Sequence, residues 1–159
     1  MMKTFVLNGL IFFTALTSWA QSPYSIDLMG TSKQYLHHNN VWKEGTDCVN
    51  VKVTSEVPLK KSDIVIKAYF YSAEGKVQYV AEKPSASFTK YTMETVPDVL
   101  EKGKKHEFFF AIPERYSKGS SKWKRAVVVF GDKSKVAARV YPKDDITKFE
   151  FAEKSRMKQ

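Results

Sequence analysis

Polar and apolar residues alternate through Cys48-Val49-Asn50-Val51-Lys52-Val53-Thr54, with the three valines on one side. A period of two predicts a β-strand with one buried face and places Cys48 on the face opposite the valines. Ile64 to Tyr71 follows, its Ile64, Ile66, Ala68 and Phe70 against Val65, Lys67, Tyr69 and Tyr71. Both sides are partly apolar, which predicts a central strand. The short loop Ala73-Glu74-Gly75-Lys76 then returns the chain through Val77 to Ala81, a predicted hairpin. Pro84 and Pro97 bracket a weaker segment, Ser87 to Thr95, read as an edge strand. His106 to Ile112 reads as a core strand ended by Pro113, and Ser117 to Ser121 as a loop. Trp123 to Phe130 carries the strongest β signal, and Gly131 to Ser134 turns it into Lys135 to Tyr141, stopped by Pro142. At the front, Tyr24 to Met29 alternates as a first strand.

Seven or eight short strands without a long helix predict an all-β fold, an immunoglobulin-like antiparallel β-sandwich spanning residues 21–142. Residues 143–159 form a basic C-terminal extension. Ile146, Phe149 and Ala152 have helical spacing, while Phe149-Glu150-Phe151 alternates. The segment is read as a short strand or a frayed tail.

The first residues follow a different pattern. Lys3 precedes an uncharged run containing Phe5, Val6, Leu7, Leu10, Ile11, Phe12, Phe13 and Leu16, and Ser18-Trp19-Ala20 offers small residues at the −3 and −1 positions of a peptidase site. Residues 1–20 are therefore read as a cleavable signal peptide. Asn8, Gly9 and Thr14 interrupt the run, which falls short of the roughly 20 residues of a spanning helix. No later stretch resembles a transmembrane segment. The expected location is secreted, periplasmic or at the surface of a bacterial cell.

Composition narrows the partners. The chain carries a formal charge of +9, of which the signal contributes Lys3 alone, leaving +8. Such a balance favours anionic surfaces, and export argues against nucleic acid. The lysines are spread along the whole chain, which also suits simple solubility. Cys48 is the sole cysteine, so no internal disulfide is possible; it is read as a buried thiol, with an intermolecular link as the alternative.

The order of strands, with a central Ile64–Tyr71 strand and a late Trp123–Tyr141 hairpin, resembles immunoglobulin-like and fibronectin-III-like modules. Departures accompany it: Cys48 has no partner cysteine, and the 64–71 strand has no tryptophan. Signal peptide, single basic sandwich and Lys-rich C-terminus together also resemble the small exported immunoglobulin-like proteins encoded with type IV pilus components in mucus-dwelling bacteria. That resemblance implies an accessory role in a surface assembly and transfers no functional residue.

Candidate chemistry is sparse. His37 and His38 are adjacent, and on an extended chain they point to opposite faces, which suits metal chelation poorly. Cys48, His106 and Asp47 could be imagined as a nucleophilic triad, but no motif surrounds the cysteine. No cofactor is expected. Two groups suit binding instead. Lys118, Lys122, Trp123, Lys124 and Arg125 interleave a ring with cations, as an anionic glycan would require, unless Trp123 packs inward. Lys67, Tyr69, Tyr71 and Tyr79 would form a tyrosine-rich outer face if the hairpin registers suitably, unless another layer covers them. The expected function is a non-enzymatic extracytoplasmic interaction module. It would engage a protein partner in the cell envelope, as an accessory to a pilus or other assembly, or form a homo-oligomer. A module for anionic glycans around Trp123, and a hydrolase with an unrecognised site, are the alternatives.

Overall fold

The computed structural model describes residues 22–90 and 92–142. The expectations for the signal peptide at 1–20 and the extension at 143–159 lie outside the described residues.

Among the described residues there are ten strands: β1 (Tyr24–His38), β2 (Val41–Ser55), β3 (Leu59–Lys60), β4 (Ile64–Tyr71), β5 (Val77–Ala81), β6 (Ala86–Ser87), β7 (Val99–Leu100), β8 (Lys105–Ala111), β9 (Arg125–Asp132) and β10 (Val136–Tyr141). A single-turn helix, α1 (Glu114–Ser117), precedes β9. One sheet has the order β6-β1-β2-β8 and the other β10-β9-β4-β5, with β3-β7 as a small ribbon. Every pairing is antiparallel. β1-β2-β8 against β10-β9-β4-β5 corresponds to strands A-B-E against G-F-C-C′ of an immunoglobulin-like sandwich. It departs from that plan in β6, which pairs with β1.

The alternation explains the core. Val49, Val51 and Val53 of β2 and Phe108 and Phe110 of β8 face Ile66, Ala68 and Phe70 of β4 and Ala126, Val128 and Phe130 of β9. Tyr24 closes one end: its ring meets Phe130 edge-on, and its hydroxyl donates to the Asp132 carboxylate. Burial pushes the Tyr24 hydroxyl up to about 12, and the Asp132 hydrogen bond and charge add to the shift. Burial also pushes the Asp132 carboxyl up. Hydrogen bonds from Ser134, Tyr24 and Lys135 outweigh that effect and hold it well below the usual carboxylate range.

The strands expected at 64–71 and 77–81 match β4 and β5, and those near 106–112, 123–130 and 135–141 match β8, β9 and β10 to within a few residues. The largest difference is at the front. Tyr24–Met29 and Cys48–Thr54 are the inner halves of one long hairpin whose outer halves have little apolar alternation. Asn39 and Asn40 join them with φ of 51° and 65°, the left-handed pair that a two-residue type I′ turn requires. The expected edge strand at 87–95 shrinks to Ala86–Ser87.

The short segment 85–87 also closes the first sheet on itself. Ala86 and Ser87 pair with His37 and Leu36 of β1, whereas the Ser85 N–H donates to the Phe109 carbonyl of β8 at 2.7 Å. The Ala111 N–H returns a bond to Ser85 Oγ at 3.2 Å. Leu36, Cys48 and Ala111 are fully enclosed at this curled end, with Phe109 packed against them. Cys48 thus lies on the face opposite Val49, Val51 and Val53, as its register predicts, yet it is still buried.

Candidate binding surface

The two surfaces singled out by composition are not the open ones. Trp123 is only 9% exposed. Its indole meets Phe70 edge-on at 5.6 Å and lies 6.3 Å from Tyr141, within the main core. It sits in the connection after α1, where its N–H donates to the Tyr116 carbonyl at 3.0 Å. The cations around it scatter. Lys118 pairs with Glu114 at 3.2 Å, and the same carboxylate meets Lys43 at 3.6 Å. Lys122 borders a recess of about 280 Å³ with Ser32, Asp47, Cys48 and the indole. The Lys124 N–H bonds the Tyr71 carbonyl, and Arg125 lies opposite Tyr71 at the start of β9.

The four residues of the expected tyrosine face divide between two sides of the second sheet. Tyr79 pairs with Phe70 across the β4–β5 ladder, and partners in a ladder share a face. Its ring therefore stacks on Phe70 at 5.8 Å and on Tyr116 at 6.3 Å, towards the core, and burial raises its pKa. Lys67, Tyr69 and Tyr71 do lie on the outward side. Lys67 reaches Glu82 at 3.2 Å. Tyr69 and Tyr71 are buried in a second apolar cluster with Val127, Val129 and Val140.

The imagined triad is not assembled. Cys48 pairs with Ala111, whereas His106 pairs with Val53, about 17 Å further along the ladder at the rise of a strand. Burial pushes the Cys48 thiol up, partly offset by hydrogen bonds with Ser32, which disfavours the thiolate. Among the described residues no group of three or more His, Cys, Asp or Glu side chains could hold a metal ion.

What the fold does present is a row of rings at the hairpin tip, carried by β1, β2 and the turn that follows β6. Phe88 lies 5.0 Å from Tyr35, Tyr35 lies 5.5 Å from Trp42, and Trp42 lies 5.4 Å from His37. The ladder explains the row, because His37 and Trp42 are direct partners across β1–β2. The Phe88 N–H donates to the Tyr35 carbonyl at 2.9 Å and so fixes the third member alongside. Phe88 is 56% exposed and neighbouring Val41 57%, while the other three rings are half-buried. Aromatic surface of this kind, rigid in its backbone and open at its edge, is common interface material.

Two recesses flank the turn, and His38 and Asn39 line both. One, of about 670 Å³, runs between the turn and the Tyr79–Ala86 stretch, with exposed Met93 beside it. The other, of about 360 Å³, is bordered by Lys33, Lys43 and Lys118 together with Asp47 and Glu114. The Lys33–Asp47 pair at 2.8 Å and the two lysines on Glu114 leave this side mixed in charge. Burial, with His37 alongside, lowers the pKa of His38, so that ring is neutral at pH 7.

Sequence reasoning missed this row because residues 31–47 show little alternation. The signal was the Asn39-Asn40 pair: a type I′ turn there sets His37 opposite Trp42 by counting alone.

No protein-family model matches the chain, and no curated protein matches it significantly. Among solved structures it is similar to the C-terminal domain of Wzt, with a TM-score of 0.43 and 13% identity, over 76% of this chain and 68% of that one. No helix among the described residues is long and apolar enough to cross a membrane.

Proposed function

We propose that this protein is a non-enzymatic binding module acting outside the cytoplasm, engaging a protein partner in the cell envelope through the aromatic row at its hairpin tip. The observation that carries the reading is the row itself: Phe88, Tyr35, Trp42 and His37 continuous from the turn after β6 across β1 and β2, with Phe88 more than half exposed. Rings held by a backbone ladder lose little conformational freedom when a partner covers them, which favours affinity. An accessory place in a pilus or other surface assembly fits the exported, basic, single-sandwich character of the sequence. So does the resemblance to immunoglobulin-like modules exported with pilus components.

The test is a crosslinking pull-down from detergent-solubilised envelope, run with the parent protein and with the Tyr35→Ala, Phe88→Ala double variant. Loss of two central aromatic anchors costs an interface at least about 2 kcal/mol, so retention of a specific protein falls roughly thirty-fold or more. Equal retention by parent and variant rejects the row as the contact.

An anionic glycan is the second reading, favoured by Lys33, Lys43 and Lys118 gathered on the recess beside the turn. It moves the glycan site away from Trp123. Binding to sulfated glycans that vanishes at moderate salt and in Lys33→Ala, Lys43→Ala protein would support it; a blank array at low salt would reject it.

A further inference from the structure

β4 is an inner strand of the second sheet, yet its first half has a neighbouring strand on one side only. Every residue from Ile64 to Tyr71 pairs with β9, whereas the ladder to β5 ends at Ala68 with Ala81. Beyond Ala81 the chain bends at Glu82 and Lys83 and crosses to the first sheet, where Ser85 meets β8 and Ala86 meets β1. Its departure leaves a gap beside residues 64–67. In an antiparallel ladder the N–H and C=O of one residue point to the same side, and successive residues alternate. The Asp132 N–H donates to the Lys135 carbonyl, away from β4, so Ile64, paired with Asp132, turns its own groups away from β9. The Tyr71 carbonyl accepts from the Lys124 N–H on the β9 side, which fixes the same alternation. Ile66, Ala68 and Phe70 therefore turn away from β9 as Ile64 does. Ala68 and Phe70 meet β5 there, and the Ile64 N–H donates to the Lys61 carbonyl. The N–H and C=O of Ile66 have no partner among the described residues.

We propose that this gap is a docking slot for an extended segment of a protein partner, which adds as a short strand beside residues 64–67. The proposal rests on the reading of the chain as a module for a protein partner, and it gives that partner a contact separate from the aromatic row. Backbone groups left open on an inner strand are the groups that an added strand satisfies. Four residues at ~3.3 Å each offer it about 13 Å of edge. A recess of about 320 Å³ lies at the gap, walled by Lys83 and Pro84 on one side and residues 93–96 on the other. Such walls admit one extended segment rather than the edge of a second sandwich. The residue set opposite Ile66 shares its face. Ile66 belongs to the main core and Val96 packs against it, so an apolar side chain suits that position. The rim selects for charge. Lys61 pairs with Glu94 at 3.1 Å and Lys67 with Glu82 at 3.2 Å, which leaves Lys83 without an ion-pair partner among the described residues. An acidic residue beside the apolar one completes the match.

The probe is the capped peptide acetyl-Asp-Thr-Val-Thr-Asp-amide, titrated to millimolar concentration into the isotope-labelled chain and followed by amide resonances and hydrogen exchange. In the free protein the Ile66 amide should exchange at least about tenfold faster than those of Ala68 and Phe70, which β5 holds. The peptide should shift the Ile66 resonance and slow its exchange by at least about tenfold. The same peptide methylated on the valine nitrogen loses the N–H that reaches the Ile66 carbonyl, and should do neither. Lys83 is exposed, so Lys83→Glu protein should stay folded and bind the parent peptide several-fold more weakly. Exchange at Ile66 as slow as at Ala68 in the free protein, no shift at millimolar peptide, or equal shifts with the methylated peptide would overturn the slot. Unchanged affinity in Lys83→Glu would overturn the acidic partner. Concentration-dependent shifts at Ile66 without peptide would make a second copy the occupant and overturn the proposal equally. Peptide shifts confined to Tyr35, Trp42 and Phe88 would overturn the slot and leave the row standing. Binding at Ile66, with envelope retention unchanged in the row variant, would support the slot and reject the row.

Discussion

Replacing Trp123 by alanine separates a core residue from a binding residue. The indole is nine-tenths buried and wedged edge-on against Phe70, with Tyr141 on another side. Truncating a buried tryptophan costs about 3–5 kcal/mol in lost transfer energy and residual cavity, with the edge-to-face contact included. The lower end applies here, because the ring borders a recess into which water and neighbouring chains can relax. We therefore expect about 3 kcal/mol. For a domain of this size, at roughly 3–6 °C per kcal/mol, the melting temperature falls by about 10–20 °C. Urea unfolding followed by far-ultraviolet circular dichroism, with an unchanged slope, measures it. Phe88→Ala is the matched control. Its ring is 56% exposed, and the expected cost is within about 0.5 kcal/mol. A Trp123→Ala loss below about 1 kcal/mol would refute the core assignment and reopen the basic loop as a ligand platform.

Further outcomes follow from other contacts. Tyr24→Phe removes only the hydroxyl that donates to Asp132, and should cost about 1.5–3 kcal/mol at pH 7, as for a hydrogen bond to a charged group. The raised Tyr24 pKa stabilises the fold fully below about pH 10, the unfolded value, and this contribution is lost as pH rises towards about 12. The depressed Asp132 pKa acts at the other end, stabilising above about pH 4 and fading as pH falls below it. Urea titrations across pH should show both limbs flattened in the variant; parallel profiles would contradict the pairing. Gly131→Ala should destabilise by about 1–3 kcal/mol, because the new methyl would collide with the Lys135 carbonyl and the Val136 Cα of the neighbouring strand; wild-type stability would show that the hairpin yields. The Cys48 thiol, enclosed by Leu36 and Ala111, should resist a thiol reagent in native protein and react once unfolded; equal rates would place it at the surface.

Legibility in the sequence tracked burial. β4, β5 and β2's valine run were readable because one face of each meets the core, which writes a period of two into the residues. The outer halves of β1 and β2 bury only Leu36 completely, so their ladder is specified by backbone pairing and the Asn39-Asn40 turn rather than by apolar alternation. The aromatic row fell in that stretch. The outer face that depended on the hairpin register excludes Tyr79, because the register shift between Phe70 and Tyr71, invisible in composition, turns its ring towards the core. Trp123 illustrates another limit: an aromatic between lysines suggests a ligand platform, but its environment is decided by the chain path after α1, a tertiary matter. Residues 85–87 are too few to carry any periodic signal, although they close the first sheet.

The central claim is that the hairpin-tip rings, and not the cations around Trp123, carry the contact with a partner. The most direct measurement compares envelope crosslinking by two folded double variants, Tyr35→Ala, Phe88→Ala and Lys122→Ala, Lys124→Ala. The account predicts that the first loses the specific protein adduct roughly thirty-fold or more while the second keeps it at parent level. Retention by the first and loss by the second would contradict it.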